Sequence, residues 1–135
     1  MTKKKVLVLC TGNSCRSIIA EALINSELGE RIEAYSSGVS ASGLVNPNAK
    51  KILEVKNIWK EEYHSKRLET LLHIDFDLVI TVCDNASQTC PIFPGKTEIV
   101  HLGFDDPDGM GFEEFESCYK QVKEKLIPLV KYYLN

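Results

Sequence analysis

Val6-Leu7-Val8-Leu9-Cys10-Thr11-Gly12-Asn13-Ser14-Cys15-Arg16-Ser17 spells a strand, a tight polar loop and the start of a helix. Four consecutive apolar residues with no charge among them fit a strand covered on both faces, the habit of central parallel strands. Between Cys10 and Arg16 lie five residues, most of them small or turn-forming, so the backbone can curl and aim several N–H groups at one point. A concavity of that kind, closed by a helix N-terminus, is an anion site. Arg16 adds a planar fork of donors suited to a tetrahedral oxyanion, while Ser14 or Ser17 can hydrogen-bond a thiolate or cap the helix. The same positive field favours the thiolate form of Cys10. Thr11, Gly12, Asn13, Ser14, Cys15 and Arg16 are thus the expected cradle, holding an oxyanion above Cys10. The plainer alternative is a core cysteine followed by an ordinary strand-to-helix turn.

Outward from this stretch, strand and helix alternate. Ser17 to Leu28 places Ile19, Ala20, Leu23 and Ile24 on one face, with Gly29 where a terminating C′ glycine is expected. Ile32 to Ser37 alternates as a second strand stopped by Gly38. Asn46-Pro47 opens a second helix with proline in its first turn, and Ile52, Leu53 and Val55 are its expected buried side. Trp59 beside Ile58 is expected to pack on the core. Ser65 can cap a short helix running through Leu72, and Phe76 to Val82 is a third strand ending at Cys83. Asp84 to Lys96, with Cys90 and Pro91 inside it, is a long loop of the kind that usually carries function. Glu98 to Leu102 is a fourth strand, followed by the loop Gly103 to Gly109. The last helix has the cleanest period: Phe112, Phe115, Tyr119, Val122, Leu126, Leu129, Val130 and Tyr133. The expected fold class is α/β, a four-stranded parallel sheet with helices on both faces, in one domain over residues 1–135. Ligands of such sheets sit outside the carboxyl ends of the strands, where Cys10, Cys83 and the Asp106 loop all lie.

At 135 residues the chain can bury a substantial core. A net charge of −3 gives no basic field for nucleic acid, and Lys3-Lys4-Lys5 is a solvated lead-in to the first strand. No apolar run approaches the roughly 20 residues of a membrane span. Five cysteines without a signal peptide point to a reducing, cytoplasmic setting in which any disulfide is transient and catalytic. His64, His73 and His101 have no metal-ligand spacing with any cysteine pair, and Cys83 with Cys90 is no zinc pattern, so no metal and no cofactor is expected. Cys15 and Cys118 are expected to be packing residues.

A thiol in an oxyanion cradle and an aspartate before proline, Asp106, suit a phosphatase: the acid would protonate a departing oxygen. Cys83 and Cys90 would not be needed by one. The stretches Cys10 to Ser17, Tyr35-Ser36-Ser37-Gly38, Asn46-Pro47, Thr81-Val82-Cys83, Cys90-Pro91 and Gly103-Phe104-Asp105-Asp106-Pro107 together resemble the thioredoxin-coupled arsenate reductases, which share the fold of low-molecular-weight protein tyrosine phosphatases. The resemblance runs nearly end to end. It implies that Cys10 attacks arsenate with the loop amides and Arg16 balancing charge, and that Asp106 protonates the leaving oxygen. It implies further that Cys83 then attacks Cys10 to release arsenite, that Cys90 takes over the disulfide as Cys83–Cys90, and that thioredoxin reduces it. Phosphate or sulfate would compete for the cradle, with weak phosphatase turnover at most.

The chain departs from that pattern in two places. Some members hold potassium with residues matching Asn13, Glu21 and Ser36 plus an aspartate that becomes Lys66 here. The Lys66 ammonium can occupy the cation position itself, so no bound potassium is expected. The second departure is Leu102, where tryptophan is common, with little chemical effect expected. Two other readings stay open: a low-molecular-weight phosphatase acting on phosphotyrosine or a small phosphate ester, and an oxyanion- or redox-sensing module without turnover.

Overall fold

A computed structural model describes residues 3–83 and 97–134. Strand β1 (Lys4–Cys10) is followed by α1 (Arg16–Leu28), β2 (Ile32–Gly38), α2 (Pro47–Val55), a 3-10 turn (Leu68–Leu71), β3 (Leu78–Thr81), β4 (Glu98–His101) and α3 (Phe112–Leu134). The strands form one sheet in the order β2-β1-β3-β4, every pairing parallel. The expected four-stranded parallel sheet is therefore present. Val6 to Leu9 point alternately to opposite faces, and all four are fully buried, so both faces of the central strand are covered.

The register brings the functional segments to one edge. Cys10 lies opposite Gly38 at the end of β2, and Leu9 lies opposite Thr81 at the end of β3. Beyond β4, Leu102 N donates to Thr81 O at 2.9 Å and Phe104 N to Val82 O at 3.2 Å, which continues the ladder into the Asp106 loop. Gly38 must be glycine for steric reasons, because a Cβ there would stand 2.5 Å from the Thr11 carbonyl.

Several local expectations are corrected. Ser65 caps no helix; only Leu68–Leu71 is helical in that region, as a 3-10 turn, and the Ser65 hydroxyl binds the oxyanion loop instead. Gly29 adopts right-handed helical angles, φ −60° and ψ −17°, rather than a left-handed C′ conformation. Val55 is exposed, and α2 buries Ala49, Ile52 and Leu53. β3 covers only the middle of the predicted Phe76 to Val82 run. In α3 Tyr133 is exposed, while Cys118 and Ile127 join the buried face with Phe115, Val122, Leu126 and Val130. Trp59 does pack partly against the core, edge-on to Tyr63 at 5.8 Å.

Candidate active site

The loop between β1 and α1 is built from its carbonyls outward. Val39 N donates to Cys10 O, Ser40 N to Thr11 O, Ser42 N to Gly12 O and Asn46 N to Ser14 O, at 2.9–3.0 Å. Ser65 Oγ adds a second donor to Gly12 O at 3.0 Å. In a planar trans peptide the N–H points opposite to its carbonyl. The N–H groups of Thr11, Gly12, Asn13 and Cys15 are therefore turned to the other side, and Asn13 N reaches the Cys10 sulfur at 3.2 Å. Asn13 itself has φ of +50°, a left-handed conformation asparagine tolerates better than most residues.

Cys10 sits at the base of this ring, 3% exposed, with Ser17 Oγ 2.9 Å from its sulfur. Ser17 itself receives Asn13 Nδ2 at 2.7 Å, so its own hydrogen can face the Cys10 sulfur. Asn13 Nδ2 also donates to Ser36 Oγ at 3.0 Å, and Ser36 Oγ donates to Glu21 Oε1 at 2.5 Å. Of the two serines expected near the thiolate, Ser17 is the one beside the Cys10 sulfur; Ser14 Oγ lies against Cys15 Sγ at 3.6 Å. Neither serine caps α1, whose N-cap position is Cys15 with no side-chain bond.

Lys66 completes this buried chain of polar groups. Its Nζ stands 3.8 Å from Glu21 Oε1 and donates to His64 O at 2.9 Å, while its backbone N–H binds Asn13 Oδ1 at 2.8 Å. Burial pushes the Glu21 carboxyl above its usual range, with the Lys66 charge opposing. Burial likewise pushes Lys66 down, with Glu21 opposing. Among the described residues no group of three or more His, Cys, Asp or Glu could hold a metal. A cation beside Asn13, Ser36 and Glu21 would have to share one carboxylate with an ammonium already in contact with it. The donor set does not fit a potassium ion.

Arg16 spans from the oxyanion loop to the loop after β4. Its Nη1 donates to Phe104 O at 3.0 Å and its Nη2 lies 3.3 Å from Asp106 Oδ2, so the sequence-predicted acid and cradle do meet. Asp106 is half exposed, at 52%, where a proton can be exchanged with water. The second thiol also reaches the loop: Cys83 Sγ and Thr11 Oγ1 are 3.1 Å apart. Cys90 lies outside the described residues. Cys15 is buried against Asp108, and burial pushes its thiol up to about 12, Ser14 acting in the opposite direction. Cys118, buried on α3, is pushed up by burial to about 11. Both are protonated at neutral pH, as packing thiols should be.

A family model described as low molecular weight phosphotyrosine protein phosphatase matches residues 5–133. The chain belongs to that family. Within the phosphatase family it is similar to curated proteins called arsenate reductase. One from Bacillus cereus strain 03BB102 is 40% identical over 124 residues, spanning 92% of each chain. Another, from Bacillus anthracis, matches at the same identity and coverage. A solved arsenate reductase in its oxidized state superposes with a TM-score of 0.83 at 29% identity, over 96% of this chain and 98% of that one. The low molecular weight protein tyrosine phosphatase from T. tengcongensis gives a TM-score of 0.79 at 26% identity, over 96% and 99%.

Two contributors were not singled out in the sequence. Asn46 and Asp108 bond to each other beside the loop, Nδ2 to Oδ1 at 2.7 Å. Asn46 carried a helix-start signal and a place in the family resemblance, but no site role. Asp108 carried no signal beyond lying in the loop after the fourth strand.

Proposed function

We propose that this protein reduces arsenate to arsenite with three thiols, Cys10, Cys83 and Cys90, and is returned to the dithiol state by thioredoxin. The observation that carries the reading is Cys83 held at the oxyanion loop through Thr11, in a chain whose 40% identical relatives are called arsenate reductases. A hydrolase needs no second sulfur there.

Arsenate is taken up by the inward N–H groups and Arg16, displacing Asp106 from the guanidinium. The Cys10 thiolate attacks arsenic, and Asp106 donates a proton to the oxygen that departs as water. The Cys83 thiolate then attacks Cys10 Sγ; the sulfur–sulfur bond forms as the sulfur–arsenic pair passes to arsenic, and arsenite leaves. Two thiols have been oxidised and arsenic has gained two electrons. Cys90 next attacks Cys83, freeing Cys10, and the Cys83–Cys90 disulfide is reduced by a dithiol protein through ordinary exchange. Potassium has no part in this scheme, Lys66 supplying the positive charge beside Glu21. A thiol-dependent cycle of this kind belongs in the cytoplasm.

A second reading, a phosphatase for phosphotyrosine or small phosphate esters, is favoured by the same cradle and by the family's name, and it does not use Cys83. Replacing Cys83 with serine separates the two. Arsenite formation with thioredoxin, thioredoxin reductase and NADPH should vanish in Cys83→Ser, while aryl phosphate hydrolysis stays within about twofold of the parent. Arsenite formation that survives the substitution would refute the relay.

A further inference from the structure

The loop carrying Asp106 is tied to the sheet at its start, by Leu102 and Phe104, but its acid is exposed. Besides the Arg16 pair, a neighbour two residues on holds the carboxylate: Asp108 N donates to Asp106 Oδ1 at 3.0 Å. Asp108 is in turn held from outside its own loop. Its Oδ1 accepts Asn46 Nδ2 at 2.7 Å and lies 3.7 Å from Cys15 Sγ. Asn46 has no freedom to turn away, because its Oδ1 caps α2 through Asn48 N at 2.8 Å and its backbone N–H binds Ser14 O at 2.9 Å. One asparagine thus joins the helix start, the oxyanion loop and the acid loop.

We propose that the Asn46–Asp108 pair is a latch that positions Asp106 for proton donation to a group leaving from the cradle. The inference rests on the active-site reading above and adds two positioning residues that touch neither the oxyanion nor a reacting sulfur. With the latch made, the Asp108 amide holds one oxygen of Asp106 and leaves the other toward Arg16 and the leaving atom. With it broken, the acid loop keeps its sheet anchor, its Arg16 contacts and the long Cys15 Sγ contact but loses the short hydrogen bond that holds Asp108, so the acid drifts while the cradle remains. An acid displaced by about an ångström loses a large part of its catalytic effect.

The test uses Asn46→Ser, which keeps a helix cap and the backbone bond to Ser14 but cannot span to Asp108. A second break, Asp108→Ala, removes the other end. The exchange variant N46D/D108N keeps composition and net charge while swapping donor and acceptor. Hydrolysis of phenyl phosphate, whose leaving group needs the proton, should fall about tenfold in kcat/KM in both breaks, and that of 2,4-dinitrophenyl phosphate, whose phenolate leaves unaided, by less than about twofold. Arsenate reduction should fall about tenfold with them, and the exchange variant should return to within about threefold of the parent. Equal losses on both esters, or an exchange variant as slow as the single breaks with an unchanged melting temperature, would overturn the latch. The leaving-group contrast appearing in a parent protein that forms no arsenite would refute the reductase reading and leave the latch standing. A parent without either reaction would overturn both.

Discussion

Lys66→Met removes the ammonium beside Glu21 while nearly preserving side-chain volume. Both partners are largely buried, their side chains 13% and 8% exposed, and Nζ stands 3.8 Å from Oε1. At an effective dielectric constant of about 20, charges at that distance attract by roughly 4 kcal/mol. Breaking a buried pair by removing one member costs about 3–5 kcal/mol, of the same size. With an unfolding entropy near 2.1 cal/mol/K per residue, a chain of this length loses about 3–4 °C per kcal/mol, so the melting temperature should fall by about 10–18 °C at pH 8. The pH dependence has a definite sign. Glu21 is already raised by burial in the folded protein, and losing Lys66 raises it further. A carboxyl raised on folding stabilises below its unfolded value and loses that stabilisation as pH climbs through the folded one. The deficit against the parent should therefore be small near pH 4 and largest above neutrality. Melts from pH 4.5 to 8.5 measure it, with E21Q/K66M recovering most of the loss. A deficit independent of pH, or none, would refute the pairing. Melts in potassium and sodium chloride at equal ionic strength should coincide for the parent. A rise specific to potassium would mean that Lys66 does not fill the cation position.

Two other substitutions probe the cradle. Ser17→Ala removes the hydroxyl at 2.9 Å from Cys10 Sγ, and alkylation of Cys10 by iodoacetate at pH 7 should slow by about 10- to 100-fold, the worth of a hydrogen bond to a charged group. Gly38→Ala drives a methyl to within 2.5 Å of the Thr11 carbonyl, so phosphate affinity measured by calorimetry should drop more than tenfold as the loop is pushed out of shape.

The sheet was legible because Val6 to Leu9 and Leu78 to Val82 are buried by composition alone, and the alternation with helices leaves few topologies. The cradle was legible because glycine, small residues and arginine sit between a strand and a helix. What sequence could not show is how side chains close loops that lie far apart in the chain. Ser65 looked like a helix cap because serine before an acidic turn usually is one; its hydroxyl instead finds Gly12 O, 53 positions away. Asn46 looked like a cap and is one, yet its other amide atom serves Asp108, 62 positions distant. Val55 sat on the expected apolar side of α2, but the helix ends there and its last residue faces solvent.

Asn13 concentrates more demands than any other position near the thiol. Its backbone is left-handed, its N–H reaches the sulfur, its amide nitrogen serves Ser17 and Ser36, and its amide oxygen takes the Lys66 N–H. Glycine would satisfy the torsion and abandon three partners; aspartate would accept from Lys66 and turn an acceptor toward two hydroxyls that now receive; serine would be too short. A randomised library at this codon, selected for turnover, should collapse to a single amino acid, so the position acts as a lock with one key rather than a site of gradual tuning.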